Sequence, residues 1–421
     1  MDVSPGPTSV RFPVLCIQLK DLLTTLSSFA ADYDSTEAID DSNLPVSRVM
    51  DFAKSKLLYS SPSKMSSVGI LACLSVRFAL DFDLTAARAR SQEDNQVEAH
   101  LRLCLRASRG FGRILTTAVS EPYLAKAAAQ LIPSFYHTGT PAEDLVTWLD
   151  YIDCGQRGEL VASLLVMQAR DMARKIVQDI AWDMSGDMTF RDVARTREDR
   201  WKNLDHEWVY VREFIKALLP PDEYDTFIST LPAIHLSHDP KAAFEAMFND
   251  SKIWFNHVIK VDRGEEIHVS HLWKFVSRGA MIICPPGYHG IDIVLPVCFK
   301  GNTLARDNMT AILIQVKNDE RYRKDVSGDL FEHMDPFDAG LFSNGDEPLP
   351  VIRMVFALGS DECGITFPSQ EKSGLGGRFT SYDVWCAGLS PSTFACIGKD
   401  QSSYQALLKR SIQDKIVNNP R

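Results

Sequence analysis

The chain has 421 residues, of which 45% are hydrophobic and 24% charged, and a formal net charge of −10 at neutral pH. That much apolar material supplies more than one compact core at about 150 residues each, so disorder is excluded as its organising principle. The acidic balance excludes a dominant charge-driven grip on nucleic acid, which comes from neutralising phosphates with Lys and Arg. It leaves room for a local basic groove, or for one supplied by bound metal.

No basic patch followed by a long apolar core opens the chain over residues 1–13, and no apolar run reaches the roughly 18 residues of a membrane span. The nine cysteines are scattered and contain no Cys-x-x-Cys pair; Cys73 and Cys298 sit inside apolar runs, as small hydrophobes do. The expectation is an intracellular protein of the cytoplasm or nucleus. It should be neither secreted nor membrane-embedded, and without disulfides or a zinc knuckle.

In chain order, amphipathic pieces at 15–29 and 46–58 flank an acidic, Ser-rich loop at 32–43, and Pro62 marks a second joint. From 67 to 132 the pattern reads as helical, with a buried run at 68–76 and an Ala- and Leu-rich helix stopped by Pro133. Arg102, Arg106, Arg109 and Arg113 would share one face of a helix that passes through Gly110 and Gly112. Such a face either contacts phosphate or is a solvated stripe, and charge runs favour the second.

A helix at 143–151 precedes a long amphipathic helix from 157 to about 182, with Glu159 in its first turn, where the helix dipole favours a carboxylate. Then come a mixed stretch from 184, a helix at 209–219 ended by Pro220 and Pro221, and a loop at 227–240. A helix at 241–248 leads to 251–261, which periodicity leaves open between strand and helix. Residues 278–284 form a helix-to-strand passage into two β-branched apolar runs, 290–297 and 309–318. An acidic, Gly-marked stretch follows, then strands at 351–358 and 382–389 and a closing helix at 404–412. Helices first and strands later describe an α+β protein. The expected division is a helical region at 1–140, then an α+β domain at 141–421 with a helical insertion at about 184–250.

Polar groups interrupt the two core runs at Asp292, Gln315 and Lys317. Burying an unpaired charge is expensive, so these side chains must surface at a strand edge or neutralise one another there. Gln315 and Lys317, two residues apart, share a strand face. Asp292 and Lys317 could therefore form a plain cross-strand ion pair, or the three could build a site. His235-x-x-His238 and His268-x-x-His271 lack a third metal ligand at a recognisable distance and read as surface histidines. Asp335 and Asp338 read as a turn, and Trp254, Phe255, Trp273 and Trp385 as core.

The blocks Arg157-Gly158-Glu159-Leu160, Trp254-Phe255-Asn256-His257, Gly290-Ile291-Asp292-Ile293, Ile314-Gln315-Val316-Lys317-Asn318, Met334-Asp335-Pro336-Phe337 and Asp383-Val384-Trp385-Cys386 resemble a family of basidiomycete fungal proteins. The resemblance spans residue 65 to the end. In longer relatives this region follows a P-loop ATPase domain, as in Crinkler-like and retrotransposon-hot-spot-like proteins, whose C-terminal parts resemble PD-(D/E)xK nucleases. Asp292 with Gln315-x-Lys317 resembles that nuclease motif, with Gln in place of the second acid.

The resemblance implies a restriction-endonuclease-like mixed sheet flanked by helices and hydrolysis of DNA or RNA with Mg²⁺. Asp292, Gln315 and Glu159 would hold the metal and Lys317 would assist. The alternatives are that Glu159 is only a dipole-matched acid, and that the whole domain is an inactive nuclease-like module binding protein or nucleic acid. This chain has no Gly-x-x-x-x-Gly-Lys-[Ser/Thr] loop, so ATP hydrolysis is not expected, and 1–140 would be the remnant of an ATPase-associated part.

Overall fold

In the computed structural model the described residues are 46–58, 66–82, 96–97, 99–107, 114–118, 122–135, 140–149, 152, 157–178, 208–236, 241–262, 267–300, 304–326, 328–368 and 377–418. The expected pieces at 15–29 and 32–43, and the whole stretch from 184 to 207, lie outside them. Two compact units divide these residues: one holds 46–135 with Trp148, Leu149 and Ile152, the other 140–147 and everything from Arg157 onward.

The first unit packs three helices, α1 (Val46–Leu58), α2 (Ser67–Phe78) and α3 (Pro122–Phe135), through Leu57, Leu71, Leu74, Ala125 and Ala128, all fully buried. Ser66 starts α2 by accepting the Gly69 N–H at 3.1 Å, an ordinary N-cap. The expectation of continuous helix over 67–132 is wrong between α2 and α3. There the chain forms an antiparallel hairpin of β1 (Leu103–Ala107) and β2 (Ile114–Thr117), with a bulge between Cys104 and Arg106. The buried residue of this stretch is Arg102, while Leu105 is 60% exposed, so neither the helical spacing of the arginines nor the alternation of the leucines marks its inner face.

The helical face of four guanidiniums therefore does not exist. Arg102 is buried instead, donating to Thr116 Oγ1 at 2.5 Å and Ser75 Oγ at 2.7 Å beneath the Phe82 ring. Arg106 stands on a strand opposite Leu115, and Arg109 and Arg113 lie outside the described residues.

The chain then forms α4 (Pro141–Trp148), entered through a reciprocal cap between Thr140 and Glu143, and α5 (Arg157–Gln178). The second unit continues with β3 (Val209–Tyr210), α6 (Val211–Leu218), α7 (Pro221–Ile228), α8 (Phe244–Phe248), β4 (Lys252–Ile253) and β5 (His257–Lys260). Next come α9 (Val269–Arg278), β6 (Ala280–Ile283), β7 (Ile293–Cys298), β8 (Met309–Lys317), α10 (Gly328–Glu332) and β9 (Val351–Ala357). It ends with β10 (Gly364–Thr366), β11 (Ser381–Ala387) and α11 (Gln401–Asn418). The open stretch 251–261 is thus two short strands, and α7 begins inside the Pro220–Pro221 pair that was to end a helix.

These strands make one nine-stranded mixed sheet, ordered β10-β11-β9-β8-β7-β4-β3, with β6 pairing both β7 and β5. β6, β7 and β8 form an antiparallel meander, whereas β8, β9 and β11 run parallel. Every residue of β7, β9 and β11 is buried, as befits a sheet covered on both faces, and the charged residues within β9 and β11 pair with each other. Arg353 on β9 and Asp383 on β11 are direct register partners and form a buried bidentate pair. The α+β class holds. Among the described residues no helix is long and apolar enough to cross a membrane, and Cys73, Cys104, Cys284, Cys298, Cys363, Cys386 and Cys396 are free thiols.

Candidate functional site

Asp292 precedes β7 and is fixed from both sides. Its N–H donates to Ile314 O at 2.9 Å, and its carbonyl accepts the Cys284 N–H at 2.9 Å. Ile293, the first residue of β7, pairs with Ile314, and Asp292 just before it lies outside the regular ladder, its N–H going to that same Ile314. The Val316 N–H donates to Asp292 Oδ2 at 2.6 Å, tethering the carboxylate to the β8 backbone beside Gln315.

Gly290, at φ +68°, makes the turn into this position. A Cβ there would stand 3.0 Å from His333 O and 3.1 Å from Gln315 Nε2, so both the left-handed backbone and the close approach call for glycine.

Gln315 is 3% exposed, and its Oε1 is buried without a hydrogen-bond partner. Lys317 follows on the same face, half-buried, with Nζ 5.9 Å from the centre of the Tyr322 ring. Burial pushes the Asp292 carboxyl above the usual carboxylate range; the Val316 N–H and the Lys317 charge pull it back only in part. Lys317 acts on Asp292 through space, without a direct ion pair, so the plain cross-strand salt bridge is not what forms.

Glu159 lies in the first turn of α5, and that turn is seated on the end of β8. A Cβ on Gly158 would fall 1.9 Å from Asn318 Nδ2, which means that the helix backbone lies directly on the Asn318 side chain. Glu159 itself is half-buried and engaged with its surroundings. The strand end is gripped from the other side by Gly359, whose Cβ would come within 2.4 Å of Asn318 O. Asn318 Oδ1 is a second buried oxygen without a partner. Asn318 was not singled out by its sequence; only the small residues around it, far apart in the chain, betray how tightly it is held.

The structure thus ties Asp292 to β8 between Gln315 and Lys317 and brings the turn carrying Glu159 to the residue after Lys317. Among the described residues no three His, Cys, Asp or Glu side chains cluster as a metal site would require. The oxygens assembled at this edge are carboxylate and amide, a hard donor set.

Elsewhere the other candidates become structural. His268 caps α9, its Nδ1 3.2 Å from the Ser270 N–H and its Nε2 3.0 Å from Ser343 Oγ. Its ring centre lies 6.3 Å from that of His271. His238 is outside the described residues. Asp335 and Asp338 both bind Arg378, at 2.8 and 3.0 Å, which settles them as an ion-paired turn. Trp254, Phe255 and Trp385 are buried core, and Trp385 Nε1 donates to Arg323 O at 2.8 Å. A cleft of about 530 Å³ near His268, Arg306 and Asp346 takes in none of Asp292, Gln315 or Lys317. No family model, curated protein or solved structure matches the chain.

Proposed function

We propose that this protein is a Mg²⁺-dependent nuclease of the PD-(D/E)xK type, hydrolysing phosphodiester bonds of DNA or RNA at the β7–β8 edge. The observation that carries this reading is the bond from the Val316 N–H to Asp292 Oδ2, which holds the carboxylate at the residue between Gln315 and Lys317. The topology supports it too: the antiparallel meander of β6, β7 and β8, followed by a short helix and the parallel strand β9, suits a restriction-endonuclease-like core, with β3 to α9 inserted between α5 and that meander.

The residues fit a hard cation. Asp292 offers a carboxylate whose charge is poorly solvated without one, and Gln315 Oε1 is a buried oxygen with nothing to bind. Mg²⁺ keeps several waters and needs only one or two carboxylates from protein. Asp292 and Gln315 would hold it, with Glu159 as the second carboxylate, directly or through water. A bound Mg²⁺ supplies Lewis acidity to a phosphoryl oxygen and lowers the pKa of an attacking water. The Lys317 ammonium would orient the attacking water and offset the charge that gathers on phosphorus in the transition state. Gln315 offers a dipole where an acid would offer a charge, so it would hold a metal more loosely than a full acidic pair.

One observation favours a second reading. The lack of a three-ligand acidic or histidine cluster among the described residues suits a nuclease-like module that binds nucleic acid or protein without cutting it. Incubation of single- and double-stranded DNA and RNA with Mg²⁺ or Mn²⁺ separates the two. Metal-dependent cleavage by the natural protein, lost in folded Asp292→Ala and Lys317→Ala variants, is the expected result. Cleavage no greater than that of the variants would establish the binding module.

A further inference from the structure

Resting on the metal-site reading above, we infer that Asn318 is a further positioning residue of this site. It sets the first turn of α5, and Glu159 with it, against the end of β8, and it keeps its own amide oxygen for a water or ion that enters with the metal.

Two independent features converge on this residue. Gly158 and Gly359 leave no room for a side chain where they meet Asn318, at 1.9 and 2.4 Å from a would-be Cβ, so α5 and the segment after β9 both close directly on it. Asn318 Oδ1 is nevertheless left without a hydrogen-bond partner in this enclosed place. A buried carbonyl oxygen that forgoes its hydrogen bond destabilises the protein unless a ligand or water satisfies it.

Gln315 Oε1 is in the same condition. The two orphaned amide oxygens flank Lys317 in sequence, on the strand end that also carries the tethered Asp292. The first turn of the 22-residue helix α5 meets this end through Gly158. Asn318 is the residue at which the first turn of α5 meets the end of β8, so it fixes where that turn, and Glu159 on it, stands.

The test is Mn²⁺ binding by the full chain, measured by titration calorimetry and by the metal-induced rise in melting temperature. Asn318→Leu, similar in shape but without amide atoms, should melt no lower than the natural protein when metal-free and bind Mn²⁺ about tenfold more weakly, the scale of an outer-sphere orienting group. Asn318→Asp should bind Mn²⁺ more tightly, with a gain that fades on acidification. It also serves as the test should the leucine variant not fold.

Gly158→Ala, which leaves Asn318 in place but pushes the helix turn away, should weaken Mn²⁺ binding as well. Unchanged affinity in Asn318→Leu alongside loss in Asp292→Asn overturns the role of Asn318 and leaves the metal site standing. No Mn²⁺ binding that depends on Asp292 overturns both.

Discussion

Removing Asp383 should cost the second unit about 3–5 kcal/mol, the usual consequence of stranding a buried charge. Its side chain and that of Arg353 are 4% and 3% exposed. Arg353 Nε donates to Asp383 Oδ1 at 2.8 Å, Nη2 donates to Oδ2, and Nη1 donates to Phe331 O at 2.7 Å. The guanidinium also lies 5.3 Å from the centres of both the Phe331 and Phe379 rings. In Asp383→Ala that cation would keep one carbonyl and two aromatic faces but lose its counter-charge, with no water to replace it.

Urea titration of the full chain, followed by tryptophan fluorescence, measures the loss. Trp385, fully buried two residues beyond Asp383, is well placed to report it. With a slope of about 1–3 kcal/mol per molar urea, the midpoint should fall by roughly 1 M or more. Replacing both residues by leucine should restore most of the loss, because a well-packed apolar pair removes the desolvation penalty together with the attraction. A loss under about 1 kcal/mol for Asp383→Ala, the range of an exposed pair, would refute the argument. A double variant as unstable as the single would refute it equally. Since Arg353 also stands opposite Leu313 of β8, the pair braces the strand that carries Gln315 and Lys317.

Asp292→Asn should stabilise the metal-free protein at neutral pH. Burial raises the folded carboxyl above its unfolded value, so the stability linked to its proton is present at low pH and is lost as pH rises through the raised value. The asparagine keeps an acceptor for the Val316 N–H and escapes that loss. Thermal melts in chelator should show its advantage shrinking as the solution is acidified, and an advantage that grows instead would sink the idea. Thiol reactivity should be equally selective. Burial pushes Cys73, Cys284 and Cys396 up to about 12 and Cys386 higher still, whereas Cys363 is exposed. Peptide mapping after brief maleimide treatment at neutral pH should find Cys363 modified before any of those four, and early labelling of Cys284 would contradict the packing around Asp292.

The core strands could be read from sequence because a sheet covered on both faces imposes unbroken β-branched runs with turn residues at their ends. The same logic exposed Asp292, Gln315 and Lys317, since a polar group inside such a run needs an outlet. The hairpin at 103–117 does not show in the sequence because the arginine spacing matches a helix and Leu105, which would mark a core face, is exposed. Arg102 illustrates the difficulty. Its partners Ser75 and Thr116 come from different elements, and no local pattern announces that an arginine will be buried. Asn318 was missed for a related reason, because what marks it is the smallness of Gly158 and Gly359, separated from it by long stretches of chain.

β7 has two neighbours on one side, β6 beside Ile293 and Val294 and β4 beside Val297 and Cys298, with Pro296 near the changeover. A proline has no N–H to give, so it suits a place where one partner strand leaves and another takes over. Division of labour follows along a single strand. One half holds Asp292 in position, while the other serves as the mooring for β4 and, through it, β3 and the helices around them. A substitution that loosens the Val297–Cys298 half should therefore release β4 and β3 before it disturbs the Asp292 end.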